Sequence, residues 1–316
     1  MADMTTRPEH RFTVLGALGF GLEVWRSRPA PTTFLVVLQA LFYLAMTGLQ
    51  MGLLGASARQ GVQALEAGDT AGLFMASLNS SGYSSLLMLV SYPLILWLET
   101  VALVLFMSGR FSLWPGWASL GRLTLSALII FAVYMAAIIV LSIFGVIIAI
   151  TLIVMAESTG DSGLAIGMGA GLGAVGFLGL VALVSLFTAL PGRAVTGALD
   201  MSGSISIARA HWLRLILVWV LAMGLYLVVM IVGYGLVWAV HSELIRAAWE
   251  SLLAAPQDPY VSLYMYEALL PRAETALWLV LSMAPVMVMM CVVMMVWRGI
   301  VAKLALSMPN PSEKAP

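Results

Sequence analysis

Six long runs of apolar residues, separated by more polar segments, form the main pattern along the chain. The runs extend over about 32–54, 84–107, 123–156, 164–190, 215–240 and 276–306. A helix needs about 20 apolar residues to cross a hydrocarbon core roughly 30 Å thick, and each run reaches that length. The pattern therefore predicts an all-α, polytopic membrane protein with six transmembrane helices.

The order of polar and apolar segments predicts a single membrane domain over 1–316. Its three parts are a cytoplasmic or interfacial N-terminus, a six-span bundle and a short cytoplasmic tail, at 1–31, 32–306 and 307–316. No short apolar run with a small-residue cleavage site precedes the first span, so we expect that span to remain in place as the insertion signal.

Two of the segments between spans are long enough to form outer loops. Residues 55–83 contain a weakly helical stretch, Ala58–Ala67, and a polar stretch, Asn79–Gly82, that we expect to be a turn. Residues 241–275 have the pattern of two short helices on the membrane surface. Those helices could cap a cavity or form an aromatic belt, and the belt is the simpler interpretation.

Composition excludes several classes of protein. The hydrophobic share is 62% and the charged share 9%, against roughly 45–50% and 25% in soluble chains. This excludes a soluble globular or disordered chain. The net charge of zero argues against nucleic acid as a partner, because binding phosphates requires a basic face. The single cysteine, Cys291, cannot form an internal disulfide.

The distribution of basic residues predicts the orientation. Three basic residues, Arg59, Arg246 and Arg272, fall on one side of the six spans. The other twelve fall on the opposite side, at the N-terminus, in the second and fourth loops and at the C-terminal end: Arg7, Arg11, Arg26, Arg28, Arg110, Arg122, Arg193, Arg209, Arg214, Arg298, Lys303 and Lys314. The positive-inside rule then places both termini in the cytoplasm of a bacterial inner membrane.

A short amphipathic stretch with Trp and Arg precedes three of the spans, which suggests three hairpins, each an interfacial helix followed by two spans. In the first stretch, Leu15, Leu18, Leu22 and Trp25 share one helical face. The candidate contacts with lipid headgroups are Trp25, Arg26, Arg28, Trp117, Arg122, Trp212 and Arg214. The alternative is that Trp and Arg flank any inner-membrane helix, in which case no repeat is implied.

Glu99 is the one acid well inside an apolar run, and it is the best candidate for a functional polar residue. An ionised carboxylate at that depth costs several kcal/mol unless it is paired or faces a polar cavity. One interpretation is a proton or cation relay, or a contact with a lipid headgroup. The other is a structural hydrogen bond to a neighbouring helix.

No pattern in the chain predicts a catalytic site, a metal site or a cofactor. Gly171–Gly176 matches a dinucleotide fingerprint, but it lies inside an apolar run with no preceding strand. Met287, Cys291 and Met294 share a helical face that would suit Cu(I), yet methionine usually fills irregular apolar space. The three histidines are spread along the sequence, and no serine has a base within reach by sequence.

Several soft motifs resemble a broad group of bacterial inner-membrane proteins with about six helices. They are Leu190–Val195, then Arg209–Leu215 before the fifth span, and the residues Phe12, Ala17, Gly21 and Trp25 before the first. That group is related to the membrane domain fused to some glycerophosphodiester phosphodiesterases. The resemblance implies a six-helix fold and no catalytic residue, since the phosphodiesterase chemistry belongs to a soluble domain.

These observations favour a non-enzymatic integral inner-membrane protein that acts as a scaffold or assembly component, or in envelope-lipid homeostasis. Its expected partners are membrane lipids and either another membrane protein or a second copy of the chain. The alternative is a small permease or lipid transporter that uses Glu99 as its coupling residue. A weaker alternative is an intramembrane enzyme that modifies lipid.

Overall fold

The computed structural model describes residues 12–159, 162–197, 199–243, 246, 249–250, 253 and 273–307. These residues form helices joined by short turns, and no strand occurs among them. Ten helices are defined within these ranges: α1 Val14–Ser27, α2 Pro29–Glu66, α3 Thr70–Ser108, α4 Trp117–Thr159, α5 Ser162–Ser185, α6 Leu190–Thr196, α7 Met201–Ala210, α8 Trp212–Val240, α9 Ala273–Ser282 and α10 Ala284–Leu306.

Six segments are long and apolar enough to cross a membrane, which confirms the all-α polytopic fold. They are Pro29–Glu66, Thr70–Ser108, Trp117–Leu152, Gly167–Thr196, Trp212–Val240 and Ala284–Leu306. The fourth combines α5 with α6. The sixth apolar run is split at Met283, between α9 and α10, and Pro285 occupies the first turn of α10, where its missing N–H leaves no helix bond unmade.

The spans expose many large apolar side chains, as a helix in lipid does. On α4, Ile139, Ile143 and Ile147 are each more than half exposed. Water would make such a surface costly, whereas lipid tails are as apolar as these side chains. The exposure is therefore a second sign, independent of length, that these helices contact the membrane.

The expected turn at Asn79–Gly82 is wrong, because these residues lie inside α3. The chain instead reverses at Gly68, whose φ of +68° is a conformation that glycine adopts without strain. Asp69 then caps α3, since its Oδ1 accepts hydrogen bonds from the N–H groups of Ala71 and Gly72 at 3.1 and 3.0 Å. Glycine commonly ends a helix and aspartate commonly begins one, so Gly68 and Asp69 mark the position of this turn in the sequence.

The chain groups into two compact units. The first comprises the described residues within Met1–Arg28, Glu99–Gly224 and Met295–Pro316, and the second those within Pro29–Leu98 and Leu225–Met294. The expectation of a single domain over 1–316 stays a prediction. The expected second surface helix, near Asp258 and Tyr264, and the tail beyond Ser307 lie outside the described residues.

The core of the first unit joins α1 to α8 and α10. Its buried apolar residues are Phe12, Ala17, Ala189, Ala208, Leu215, Val218, Ala222, Ile300 and Leu304. Beside this cluster the indole Nε1–H of Trp219 donates to Thr188 Oγ1 at 3.0 Å, and the rings of Trp219 and Trp297 lie 3.9 Å apart between centroids. The hydrogen bond satisfies the one polar atom of a largely buried indole.

Thr188→Val should destabilise the protein by about 1–3 kcal/mol, because the shape is kept while the indole N–H of Trp219 loses its partner. Thr124→Val is a suitable control, since that hydroxyl donates only to a carbonyl of its own helix. Unfolding in detergent, followed by tryptophan fluorescence, measures the difference. Equal stabilities for the two variants would show that the indole bond contributes nothing.

The core of the second unit joins α2, α8, α9 and α10. Its buried residues, Val237, Leu279 and Val286, pack with the partly buried Met51, Met283 and Met290. Close approach of α8 and α10 depends on Gly233, where an added Cβ would lie 2.6 Å from Val286 Cγ1. The methionines fill the irregular space at the break between α9 and α10, which is their usual role in a core.

Candidate functional site

The acid that the sequence singles out is half of an ion pair inside the membrane. Glu99 lies nine residues before the end of α3, and Arg298 lies eight residues before the end of α10. The guanidinium contacts the carboxylate through two hydrogen bonds, Nε to Oε2 at 2.9 Å and Nη2 to Oε1 at 2.6 Å. This two-pronged geometry is the one in which an arginine and a carboxylate interact most strongly.

The surroundings of the pair make each charge depend on the other. The side chain of Arg298 is 1% exposed and that of Glu99 is 25% exposed. A third nitrogen of the guanidinium, Nη1, lies 3.3 Å from the sulfur of Met295, a weak acceptor. A buried guanidinium without a carboxylate partner costs several kcal/mol. Removing either charge of the pair would therefore destabilise the protein.

The pair defines what Glu99 can do chemically. Both carboxylate oxygens accept hydrogen bonds from one arginine, so the carboxylate is held in a fixed position between α3 and α10. The sequence pattern indicated the depth of Glu99, whereas Arg298 stood only among the basic residues that predict the orientation. Arg298 is therefore the main residue of the candidate site that the sequence pattern did not single out.

Two of the predicted lipid-contacting arginines donate hydrogen bonds to backbone carbonyls, and a third lies over a glycine. Arg122 Nε donates to Ala194 O at 2.9 Å, and Arg214 Nη1 donates to Phe12 O at 3.2 Å. The guanidinium of Arg28 covers Gly109, which has a φ of +67° and no side chain to block it. The seven predicted lipid contacts thus do not form one cluster, since these three arginines contact three different segments of the chain.

The other predicted lipid contacts differ in exposure. Arg26, Trp117 and Trp212 are exposed, and Trp25 is partly buried. Trp117 packs edge-to-face on Trp114, with ring centroids 4.9 Å apart. These side chains are placed to reach headgroups, and their binding of lipid stays a prediction.

One face of α1 is buried and the opposite side is exposed. Ala17, Phe20, Gly21 and Val24 are buried against the protein. The face predicted from the sequence is divided: Leu15 is 82% exposed and Leu22 is 49% exposed, whereas Leu18 packs against the core of the first unit. Leu15 and Leu22 are therefore exposed enough to contact lipid, while Leu18 and the buried residues of α1 make protein contacts.

A polar cluster that the sequence did not reveal lies in the second unit. The buried amide of Gln39 donates through Nε2 to Tyr43 Oη at 3.3 Å and lies 3.1 Å from the sulfur of Met294. Tyr43 also borders a cavity of about 230 Å³ between α2 and α3, lined by Phe42, Tyr43, Met46, Thr47, Gln50, Ser84, Leu87, Met88, Ser91 and Ile95. The lining has hydroxyls and an amide but no carboxylate or basic side chain.

A serine–histidine contact also lies in the second unit. His241 Nε2 is 2.9 Å from Ser282 Oγ, and the same hydroxyl donates to Leu279 O at 2.7 Å. Because the hydroxyl proton points to the carbonyl, the imidazole acts as the donor in this contact. A serine activated for nucleophilic attack needs the opposite arrangement, so the pair links α8 to α9 rather than forming a catalytic dyad.

Comparisons with known proteins give no family for this chain. No family model matches it, and no curated protein or solved structure is significantly similar to it. Among the residues that the structure describes, no group of three His, Cys, Asp or Glu side chains could hold a metal ion. The geometry of the Glu99–Arg298 pair is therefore the main basis for a functional proposal.

Proposed function

We propose that the chain is a non-enzymatic integral protein of a bacterial inner membrane that acts as a scaffold or assembly component, or in envelope-lipid homeostasis. The observation that carries this proposal is the two-pronged bond between Glu99 and Arg298. A coupling carboxylate must bind and release its proton or cation during transport. Glu99 has both oxygens engaged by one buried guanidinium, which suits a structural role.

Lipid enters the proposal through the outer surface of the spans. Exposed Trp117, Trp212 and Arg26 suit the headgroup layer, and Leu15 and Leu22 on α1 are exposed apolar side chains. The resemblance to the membrane domain of glycerophosphodiester phosphodiesterases supports the same proposal. The partners are then membrane lipids together with a second membrane protein or another copy of the chain, at a bilayer where both termini face the cytoplasm.

A second candidate function is a small permease or a lipid transporter. The observation that favours it is the cavity beside Tyr43, whose hydroxyl and amide groups could bind an uncharged amphiphile. Glu99 is not among the residues that line this cavity. A transporter built on it would therefore use Tyr43, Gln50 and Ser91 rather than the predicted coupling acid.

Replacing the ion pair as a whole tests whether the charges of Glu99 and Arg298 are needed for function. We expect the double variant Glu99→Met/Arg298→Met to fold and to restore growth and membrane-lipid composition in a strain that lacks the gene. Two flexible apolar side chains can fill the volume, and removing both charges of a buried pair is often neutral or stabilising. The measurement is lipid composition by mass spectrometry, with the wild-type gene and an empty vector for comparison.

The design has a matched control for the cavity. Ser91→Val should leave the rescue intact if the chain is a scaffold, and it should impair the rescue if the cavity transports a ligand. A folded double methionine variant that cannot rescue the strain would mean that the charges of Glu99 and Arg298 have a role beyond structure. That result would overturn the proposal and restore the permease with Glu99 as its coupling residue.

A further inference from the structure

A second buried arginine, Arg193, has no carboxylate partner among the residues that the structure describes. It lies on α6, three residues before the end of the fourth span, and only 6% of it is exposed. Its Nε is buried and has no hydrogen-bond partner among the described residues. An unpaired buried charge costs several kcal/mol, so this guanidinium is placed as if a binding partner completes it.

The packing of α6 explains why Arg193 is held in this position. Gly192 lies against α10, where an added Cβ would be 2.8 Å from Ala305 Cβ and 3.4 Å from Val301 Cγ1. On the same face of α6, Val195 packs with Leu103, Leu123 and Val301. These contacts hold one face of the short helix against α3, α4 and α10, and they fix the backbone that carries Arg193.

A second cation lies at the same turn. Arg122, at the start of α4, donates through Nε to the carbonyl of Ala194, the residue after Arg193. Glu99, the acid that α3 contributes to this unit, is engaged through both oxygens by Arg298. Two arginines thus meet one helix turn without a described carboxylate between them, and an anion is the ligand that would complete the arrangement.

The position in the chain indicates which anion. Arg193 and Arg122 lie at the ends of two apolar spans, the depth at which phospholipid phosphates are found. Guanidinium groups bind phosphate in the two-pronged manner that they use for carboxylates. We propose that Arg193 and Arg122 form a phosphate-binding site, occupied by the headgroup of an anionic phospholipid. The site does not depend on whether the chain is a scaffold or a transporter.

The sequence pattern did not single out Arg193 as a site residue. Arg122 is among the predicted lipid contacts, but Arg193 entered the sequence analysis only as one of the basic residues that set the orientation. Its burial and its unpartnered Nε distinguish it from exposed arginines such as Arg209 on α7. Arg209 is therefore the natural control, because its replacement removes the same charge from a neighbouring helix.

The test is the thermal stability of the purified, delipidated full chain in mixed micelles. Added phosphatidylglycerol should raise the unfolding temperature more than phosphatidylcholine does, since a ligand that binds only the folded state stabilises it. Arg193→Gln should weaken the apparent affinity for phosphatidylglycerol about tenfold or more, as expected for losing a charged hydrogen bond. Arg209→Gln should leave the affinity at the wild-type value.

A second variant keeps the test valid if Arg193→Gln folds poorly. Arg193→Met removes the buried charge while filling most of its volume, so without lipid it should unfold at or above the wild-type temperature and should no longer respond to phosphatidylglycerol. Native mass spectrometry should find fewer bound anionic lipids on it than on Arg209→Gln.

Two results would overturn the proposal. One is an equal response to phosphatidylglycerol in the wild-type, Arg193→Gln and Arg193→Met proteins. The other is a response to inorganic phosphate alone that equals the response to phosphatidylglycerol and is lost with Arg193→Met. That second result would retain the phosphate chemistry and exclude the lipid headgroup as its source.

Discussion

Glu99→Ala should be among the most destabilising single substitutions in this protein, with a loss of about 3–5 kcal/mol in the free energy of unfolding. The substitution leaves Arg298 charged, 1% exposed and without its carboxylate. The weak contact with the sulfur of Met295 cannot replace two charged hydrogen bonds. Denaturation of the purified protein in mixed micelles, followed by circular dichroism, measures the loss.

Graded variants show which part of the pair matters. Glu99→Gln keeps one acceptor oxygen, so it should destabilise less than Glu99→Ala. Arg298→Lys keeps the charge but cannot form the two-pronged bond, so it should fall between the wild-type protein and Glu99→Ala. Glu23→Ala is the control, because Glu23 on α1 is an exposed acid. If Glu99→Ala were as harmless as Glu23→Ala, the pair would have no structural role.

Gly21→Ala should have the second large effect, because α1 and α10 approach one another backbone to backbone. A Cβ on Gly21 would overlap the carbonyl oxygen of Met295 and lie 2.9 Å from its carbonyl carbon. On the facing helix, a Cβ on Gly299 would lie 2.6 Å from the backbone nitrogen of Gly21. Neither backbone can move as a side chain can, so α1 has to shift away from α10.

The expected loss for Gly21→Ala is about 1–3 kcal/mol, in the range for overfilling a packed core. Gly19→Ala is the matched control on the same helix, since nothing lies within 4 Å of a Cβ at that position. That change should stabilise α1 by up to about 1 kcal/mol, the ordinary preference of a helix for alanine over glycine. Thermal unfolding compares the two variants, and stabilisation by both would contradict the close approach of α1 and α10.

Hydropathy alone predicted the six spans, since a membrane requires long apolar helices and few other segments look like them. It did not predict where the helices end. The first apolar run stops near Leu54, but α2 continues to Glu66, because a helix can extend into water once its backbone is hydrogen-bonded internally. The turn that ends it depends on Gly68 and Asp69, which an apolar pattern does not register.

The depth of Glu99 was also visible in the sequence. Finding its partner, Arg298, required a comparison of the depths of opposite charges on different spans. Both α3 and α10 run toward the same side, and Glu99 and Arg298 lie about 12–14 Å before their respective ends at 1.5 Å per residue. Equal depth and opposite charge were therefore a usable signal. By contrast, the buried state of Arg193 depends on how α6 packs against α10, which no local pattern encodes.

The polar cluster around Gln39 shows a similar limit. Gln39, Tyr43 and Met294 come together from α2 and α10, which are separated by more than 200 residues in the chain. Each residue has an ordinary place in its own apolar run. Only the packing of the helices brings the amide, the hydroxyl and the sulfur into contact, so the sequence analysis could not assemble them.

The most direct test of the account is a double-mutant cycle on Glu99 and Arg298, built from Glu99→Met, Arg298→Met and the double variant. The structure predicts that the double variant is more stable than Glu99→Met, because the uncompensated guanidinium is gone, and that the coupling energy reaches about 2 kcal/mol or more. A coupling energy near zero would show that the two side chains act independently. That result would contradict the ion pair and, with it, the structural role proposed for Glu99.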